Sequence, residues 1–151
     1  MSDDITIKDL PAQRIAAVRA TTTMDKVGEA MQSGWQTILA RGAVPTGPPF
    51  AIYHRFSEAD GEVELETCLP TTTAVPGSET VAVRDEPAMR VAAVVHRGPY
   101  AGIGAAYEAL QAWVAAEGRK TVGPPREVYL TDPRQVADPQ DYLTEVQWPV
   151  E

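Results

Sequence analysis

Hydrophobic positions along this chain change period at intervals, and the same series of changes occurs twice. Ile15 to Ala20 and Val91 to Val95 are short, Ala/Val-rich runs behind a proline-containing turn, the pattern of buried strands. Each is followed by a helical period. In the later segment Ile103, Ala106, Tyr107, Leu110, Trp113 and Val114 recur at three- and four-residue spacing, so they share one helix face, and Gly118 stands where a glycine stops a helix. In the earlier segment Val27, Ala30, Met31, Gly34 and Ile38 form the stripe and Gly42 ends it. That helix is the weaker one, because Gly28 and Gly34 each cost about 1 kcal/mol relative to Ala.

A Gly-Pro-Pro turn then launches a strand in both segments. The strands are Phe50 to Phe56 after Gly47-Pro48-Pro49, and Arg126 to Leu130 after Gly123-Pro124-Pro125. Polar loops follow, Ala59-Asp60-Gly61 in one case and Asp132-Pro133 to Asp141 in the other. The final strands run from Glu62 to Leu69 and from Tyr142 to Trp148. Ile5-Thr6-Ile7 and Val81-Ala82-Val83 are read as short leading strands that pair with the strands following them.

The periodicity repeats because the sequence does. Lys8 to Val18 lies over Arg84 to Val94 at an offset of 76, with seven identical positions, and Gly47-Pro48-Pro49 lies over Gly123-Pro124-Pro125 in the same register. The second copy then gains three residues, so that Glu66 pairs with Glu145 and Pro70 with Pro149 at offset 79. One register held this long marks a tandem duplication, and an internal repeat decides the architecture. The expected fold is α+β: one domain over residues 1–151, made of two strand–helix–strand–strand copies (about 5–70 and 81–150) joined by a linker at 71–80. Each copy forms an antiparallel sheet with one long helix. Half-size modules are marginal alone. Packing them about a pseudo-twofold axis is expected to leave a crevice at the junction, where ligand sites concentrate.

Bulk composition narrows the function classes. No apolar run approaches the roughly 20 residues of a membrane span, and Met1-Ser2-Asp3-Asp4 lacks the basic start of a signal peptide. A cytoplasmic protein with no membrane role is expected. Cys68 is the single cysteine, which excludes an internal disulfide and a cysteine-cluster metal site. The net charge is −8 and no Lys/Arg cluster occurs, so nucleic-acid binding by this chain alone is not expected. An acidic field favours cationic ligands. It also permits a protein partner such as a topoisomerase, although no surface motif points to one.

Duplication supplies a test for specialised positions, since residues alike in both copies mostly serve the shared fold. The sharpest difference is Ala51 against Glu127. Strand alternation puts Glu127 and Tyr129 on one face and Val128 on the other. Among aromatic rings a carboxylate must be paired, hydrogen-bonded or protonated, and it then anchors a cationic or donor-bearing ligand. The competing arrangement has Glu127 facing solvent, or paired with Arg126 or Arg134. Glu145, on a strand face with Gln147, is less diagnostic because Glu66 is its counterpart. Tyr53, Phe50 and Trp35 are candidate aromatic linings. Trp113 and Tyr107 fit packing of the helix onto the sheet, and Trp113 is also carried as a lining candidate. His54 and His96 stand far apart with no cluster at ligand spacing, so no metal is expected. Gly102-Ile103-Gly104 lacks the full phosphate-binding glycine pattern, so no nucleotide or other cofactor is expected. No serine sits in a nucleophile elbow, and any catalysis would rest on the carboxylates Glu127 and Glu145.

Several of these segments together resemble a known family. They are Val95 to Tyr100, the helix with Ala105-Ala106-Tyr107 and Trp113, Gly123 to Pro133, and Leu143 to Val150. They resemble the GyrI-like small-molecule-binding domain, which is also the effector-binding half of multidrug-sensing regulators of the MerR and AraC types. The resemblance covers nearly the whole chain. It implies an aromatic pocket with a central glutamate, at the position of Glu127, with Glu145 as a second carboxylate, and ligands that are hydrophobic and often cationic. No helix-turn-helix fits in this chain, so a DNA-binding role is not implied. Some standalone proteins of this kind are similar to hydrolases that open cyclopropane rings in DNA-alkylating natural products. That implies a second reading, with a pocket glutamate as acid or base.

Overall fold

The computed structural model describes residues 4–57, 59–71, 76–131 and 135–151. Residues 72–75 of the expected linker, and Asp132, Pro133 and Arg134, lie outside the described residues. Strands β1 (Thr6–Leu10) and β2 (Gln13–Thr23) come first, followed by helix α1 (Val27–Ala40), β3 (Phe50–Phe56) and β4 (Glu62–Pro70). Then come β5 (Ala82–Glu86), β6 (Met89–Arg97), helix α2 (Gly104–Ala116), β7 (Arg126–Tyr129) and β8 (Leu143–Pro149). The class is α+β and every described strand pairing within the two units is antiparallel.

The chain forms two compact units. The first is Pro11–Ala88, and the second combines Met1–Leu10 with Met89–Glu151. Strand order is β3-β4-β2-β5 in the first and β1-β6-β8-β7 in the second. The leading strands are therefore exchanged between the copies. β1 pairs with β6, from Thr6↔Ala93 to Leu10↔Met89, and β5 pairs with β2, from Gln13↔Glu86 to Ala17↔Ala82. This corrects the expectation that each pairs with the strand following it. The reason is local. Only Pro11-Ala12 separates β1 from β2, and only Pro87-Ala88 separates β5 from β6. Two-residue hairpin turns need positive φ at their first central position, which proline cannot adopt. No described non-glycine residue has positive φ. The chain cannot double back and continues into the other unit.

Equivalent ion pairs follow the exchange. Arg90 bonds Asp9 at 2.8 Å in the second unit, and Arg14 bonds Asp85 at 3.0 Å in the first. Each partner is displaced from its equivalent by 76 positions.

Each helix lies on one face of its own sheet. In the second unit Ala106, Leu110 and Val114 of α2 bury against Ala92, Val94 and Val146, with Trp113, Tyr107 and Trp148 packed around them. Gly118 ends this segment at φ +70°, the left-handed conformation the sequence pattern requires. In the first unit Ile38 of α1 packs against Ala16 and Leu69. Here α1 comes very close to β4: a Cβ on Gly34 would stand 2.8 Å from Cβ of Thr67. The glycine that weakens the helix lets it settle on the sheet. No helix among the described residues is long and apolar enough to cross a membrane.

Candidate functional site

The Gly-Pro-Pro turn sets up the site. The backbone N–H of Val122 donates to the Pro149 carbonyl at 2.8 Å, and the Trp148 indole N–H donates to the Gly123 carbonyl at 3.0 Å. The prolines that follow offer no N–H, so ladder pairing resumes only at Arg126. From there the register is Arg126↔Gln147, Glu127↔Val146, Val128↔Glu145 and Tyr129↔Thr144. Residues directly opposite in an antiparallel pair share a face. Glu127 and Tyr129 thus lie on the face that carries Val146 and α2. Val128, Glu145 and Gln147 lie on the other.

Glu127 is 8% exposed and is held by two phenols. Tyr107 Oη donates to its Oε2 at 2.7 Å, and Tyr129 Oη donates to its Oε1 at 2.9 Å. Hydrogen bonds to a carboxylate are about twice as strong as neutral ones, and they offset part of the cost of burying the charge. Rings surround this network. Tyr100 meets Tyr129 edge to face at 5.9 Å and stacks on Tyr142 at 5.2 Å, while Tyr107 meets Trp148 edge to face at 6.1 Å. Glu127 does not face solvent; strand alternation turns Arg126 to the other face, and Arg134 lies outside the described residues.

The first copy holds the unspecialised version of the same site. Met31, Ala51 and Tyr53 occupy the positions of Tyr107, Glu127 and Tyr129. Tyr53 Oη approaches Met31 Sδ at 3.9 Å, so the strand-to-helix contact persists without the carboxylate. Ala51 is fully buried.

Glu145 belongs to a different cluster. Lys8 Nζ lies 2.6 Å from its Oε2 and Gln147 Nε2 donates to its Oε1 at 2.6 Å. The first unit has the equivalent pair, Arg84 on Glu66 at 2.8 and 3.1 Å, with His54 Nε2 at 2.7 Å on the same carboxylate. Burial pushes the Glu66 carboxyl up, but bonds from Arg84 and His54 outweigh this and hold it below the usual value. Arg84 is raised in return, chiefly by its hydrogen bond to Glu66. Glu66 and Glu145 thus hold equivalent ion pairs in the two copies, as their offset of 79 suggests.

The other sequence candidates are distributed as follows. Trp113 packs partly buried against the α2 core. In the first unit Trp35 packs against the α1 core, and its indole donates to the Cys68 carbonyl at 3.2 Å. Phe50 is buried and stands opposite Cys68, on the sheet face away from α1. Sequence reasoning gave Tyr107 to the core and left Tyr100 and Tyr142 without a role. The missed signal was again the duplication, which sets Tyr107 over Met31. A depression of about 510 Å³ opens beside the end of α2, lined by Val114, Arg119, Lys120 and Trp148. It contains none of the carboxylate–phenol network. Among the described residues no cluster of His, Cys, Asp and Glu is placed to hold a metal ion.

The isolated C-terminal domain of EcmrR superposes with a TM-score of 0.86 at 23% identity, covering 100% of this chain and 99% of that one. In the complex of EcmrR with DNA this chain spans 58% of the EcmrR chain, at the same TM-score and identity. A hydrolase from Listeria innocua matches with a TM-score of 0.71 at 16% identity, covering 99% of this chain and 93% of that one. SAV2435 bound to tetraphenylphosphonium matches with a TM-score of 0.68 at 13% identity, covering 98% and 94%. At these identities the likeness is one of fold. No curated protein matches the sequence. The family model of the GyrI-like small molecule binding domain matches residues 3–151, and the chain belongs to that family.

Proposed function

We propose that this domain binds hydrophobic, often cationic, drug-like compounds at the Glu127 site and serves to sense or sequester them. The observation that carries the reading is a buried carboxylate held by two neutral phenols inside a group of aromatic rings. Rings present negative faces to a cation and stack on flat apolar bodies. The carboxylate adds the full charge that fixes orientation. Fold likeness to the tetraphenylphosphonium-bound SAV2435 and to the EcmrR C-terminal domain supports the same reading. Titration with tetraphenylphosphonium, followed by tryptophan quenching, tests it. Wild type is expected to bind, and Glu127→Gln is expected to weaken binding roughly tenfold or more, in line with a desolvated charge contact. Equal affinities would sink the central-carboxylate reading.

A second reading has one observation in its favour, the pairing of Glu127 with two phenol hydroxyls. In a hydrolase of cyclopropane-bearing electrophiles, the carboxylate would accept a proton from attacking water while a phenol polarises the opening ring. The fold likeness to the Listeria innocua hydrolase is compatible with it. Incubation with such an alkylator, read by mass spectrometry, separates the two readings. Formation of the water adduct no faster than in buffer removes the enzyme.

A further inference from the structure

Comparing the copies row by row carries the specialisation past Glu127. Across the second unit His96, Thr144 and Tyr129 stand in one row, and Val94, Val146 and Glu127 in another. In the first unit the same rows read Ala20, Leu65, Tyr53 and Val18, Thr67, Ala51. The frame is thus content with buried Leu65 where the second copy has Thr144. Thr144 is 0% exposed, and among the described residues its hydroxyl has no hydrogen-bond partner. A buried hydroxyl without a partner costs free energy that leucine would not. Its presence beside the carboxylate site calls for a role outside the fold.

The 3-10 turn Tyr100–Gly102 meets both ends of this row. At one end His96 Nε2 donates to the Pro99 carbonyl at 3.0 Å, and a Cβ on Gly102 would lie 3.5 Å from the imidazole. At the other end Tyr100 sits against Tyr129. Thr144 is the residue between them. The turn begins after Gly98 at φ +121°, a backbone state available to glycine, and runs into α2 at Gly104. The His96–Pro99 hydrogen bond and the Tyr100–Tyr129 ring contact join it to the row, and Tyr100 is 37% exposed.

We propose that Thr144 is a second polar contact of the ligand site, uncovered when the Pro99–Gly102 turn lifts about Gly98. It selects compounds that carry a carbonyl, ether or hydroxyl group besides the group held by Glu127. Strand geometry separates the two anchors by roughly 8 Å, two residues along and one strand across. This inference rests on the small-molecule reading of the Glu127 site.

The test compares two cationic probes in wild type, Thr144→Val, Thr144→Ser and Glu127→Gln. Tetraphenylphosphonium offers no hydrogen-bonding atom, whereas rhodamine 6G carries an ester carbonyl. Thr144→Val is expected to keep or raise the urea midpoint and to leave tetraphenylphosphonium affinity within about twofold. The same change is expected to weaken rhodamine 6G by roughly three- to tenfold, the range of one net hydrogen bond. Thr144→Ser should retain wild-type behaviour. A lower midpoint for Thr144→Val means that the hydroxyl has a structural partner, and it overturns the proposal. Unchanged rhodamine affinity overturns it as well. If both probes bind wild type and depend on Glu127 while Thr144→Val is silent, this inference alone falls. If neither probe binds wild type, the small-molecule reading falls and takes this one with it.

Discussion

Glu127 stands across from Val146 and Glu145 across from Val128, so the two carboxylates sit on adjacent strands and point to opposite faces of one sheet. They therefore do not act as a pair on one face. Glu127 shares its face with Tyr107, Tyr129 and α2, and Glu145 shares the other with Lys8 and Gln147.

Removing either phenol should expose what each does for the carboxylate. Tyr107→Phe and Tyr129→Phe each delete one charge-assisted hydrogen bond to Glu127, and each is expected to destabilise the fold by about 1.5–3 kcal/mol. Urea denaturation of the two variants beside Glu127→Gln measures it. In the Gln background the same phenylalanine changes should cost less, because the acceptor has lost its charge.

Lys8 and Glu145 should contribute little by comparison. The Lys8 side chain is 46% exposed, so Lys8→Met is expected to cost no more than about 1 kcal/mol. Because Glu145 sits on the face away from α2, Glu145→Gln should leave tetraphenylphosphonium affinity within twofold of wild type. A loss as large as that of Glu127→Gln would place Glu145 in the ligand site.

Acid should weaken the first unit through Glu66. Its folded carboxyl titrates below the usual value of 4.5, so the stabilisation is fully present above that pH and fades as pH falls through the lower folded value. Urea midpoints of wild type and Glu66→Gln are expected to differ at pH 6 and to converge as the pH is lowered below 4.5.

Gly34→Ala sets propensity against packing. Alanine favours the helix by about 1 kcal/mol. Its methyl, however, would meet Cβ of the buried Thr67 at 2.8 Å, where neither backbone has a flexible end to move aside. A net loss of up to about 2 kcal/mol is expected by thermal or urea denaturation, the usual overpacking cost of about 1–3 kcal/mol minus the propensity gain of about 1 kcal/mol. A gain in stability would show that α1 can shift outward at little cost.

Much of this is legible in the sequence. Period changes place both helices and all eight strands, since burial on one face imposes 3.6 or 2 as the repeat whatever the context. The pairing of Glu127 with Tyr129 follows from alternation along a single strand. What did not follow was everything that crosses between elements. The opposite facing of Glu127 and Glu145 depends on the β7–β8 register, set by a loop whose length in residues does not specify its path. The Tyr107–Glu127 bond depends on how α2 lies on its sheet, and helix periodicity alone reads Tyr107 as core. The strand exchange had a signal in Pro11 and Pro87, but only when the two-residue connection is tested against the turns it would have to form.

That exchange also bears on inheritance. Each copy lends its first strand to the sheet built by the other, so the sequence repeat and the physical module are out of step by one element. A deletion that removed one whole copy would leave a sheet stripped of an edge and an orphan strand with nothing to complete. Two once-equal copies tied in this way can diverge in chemistry, as Ala51 and Glu127 have, yet neither can be discarded or shuffled into another gene alone.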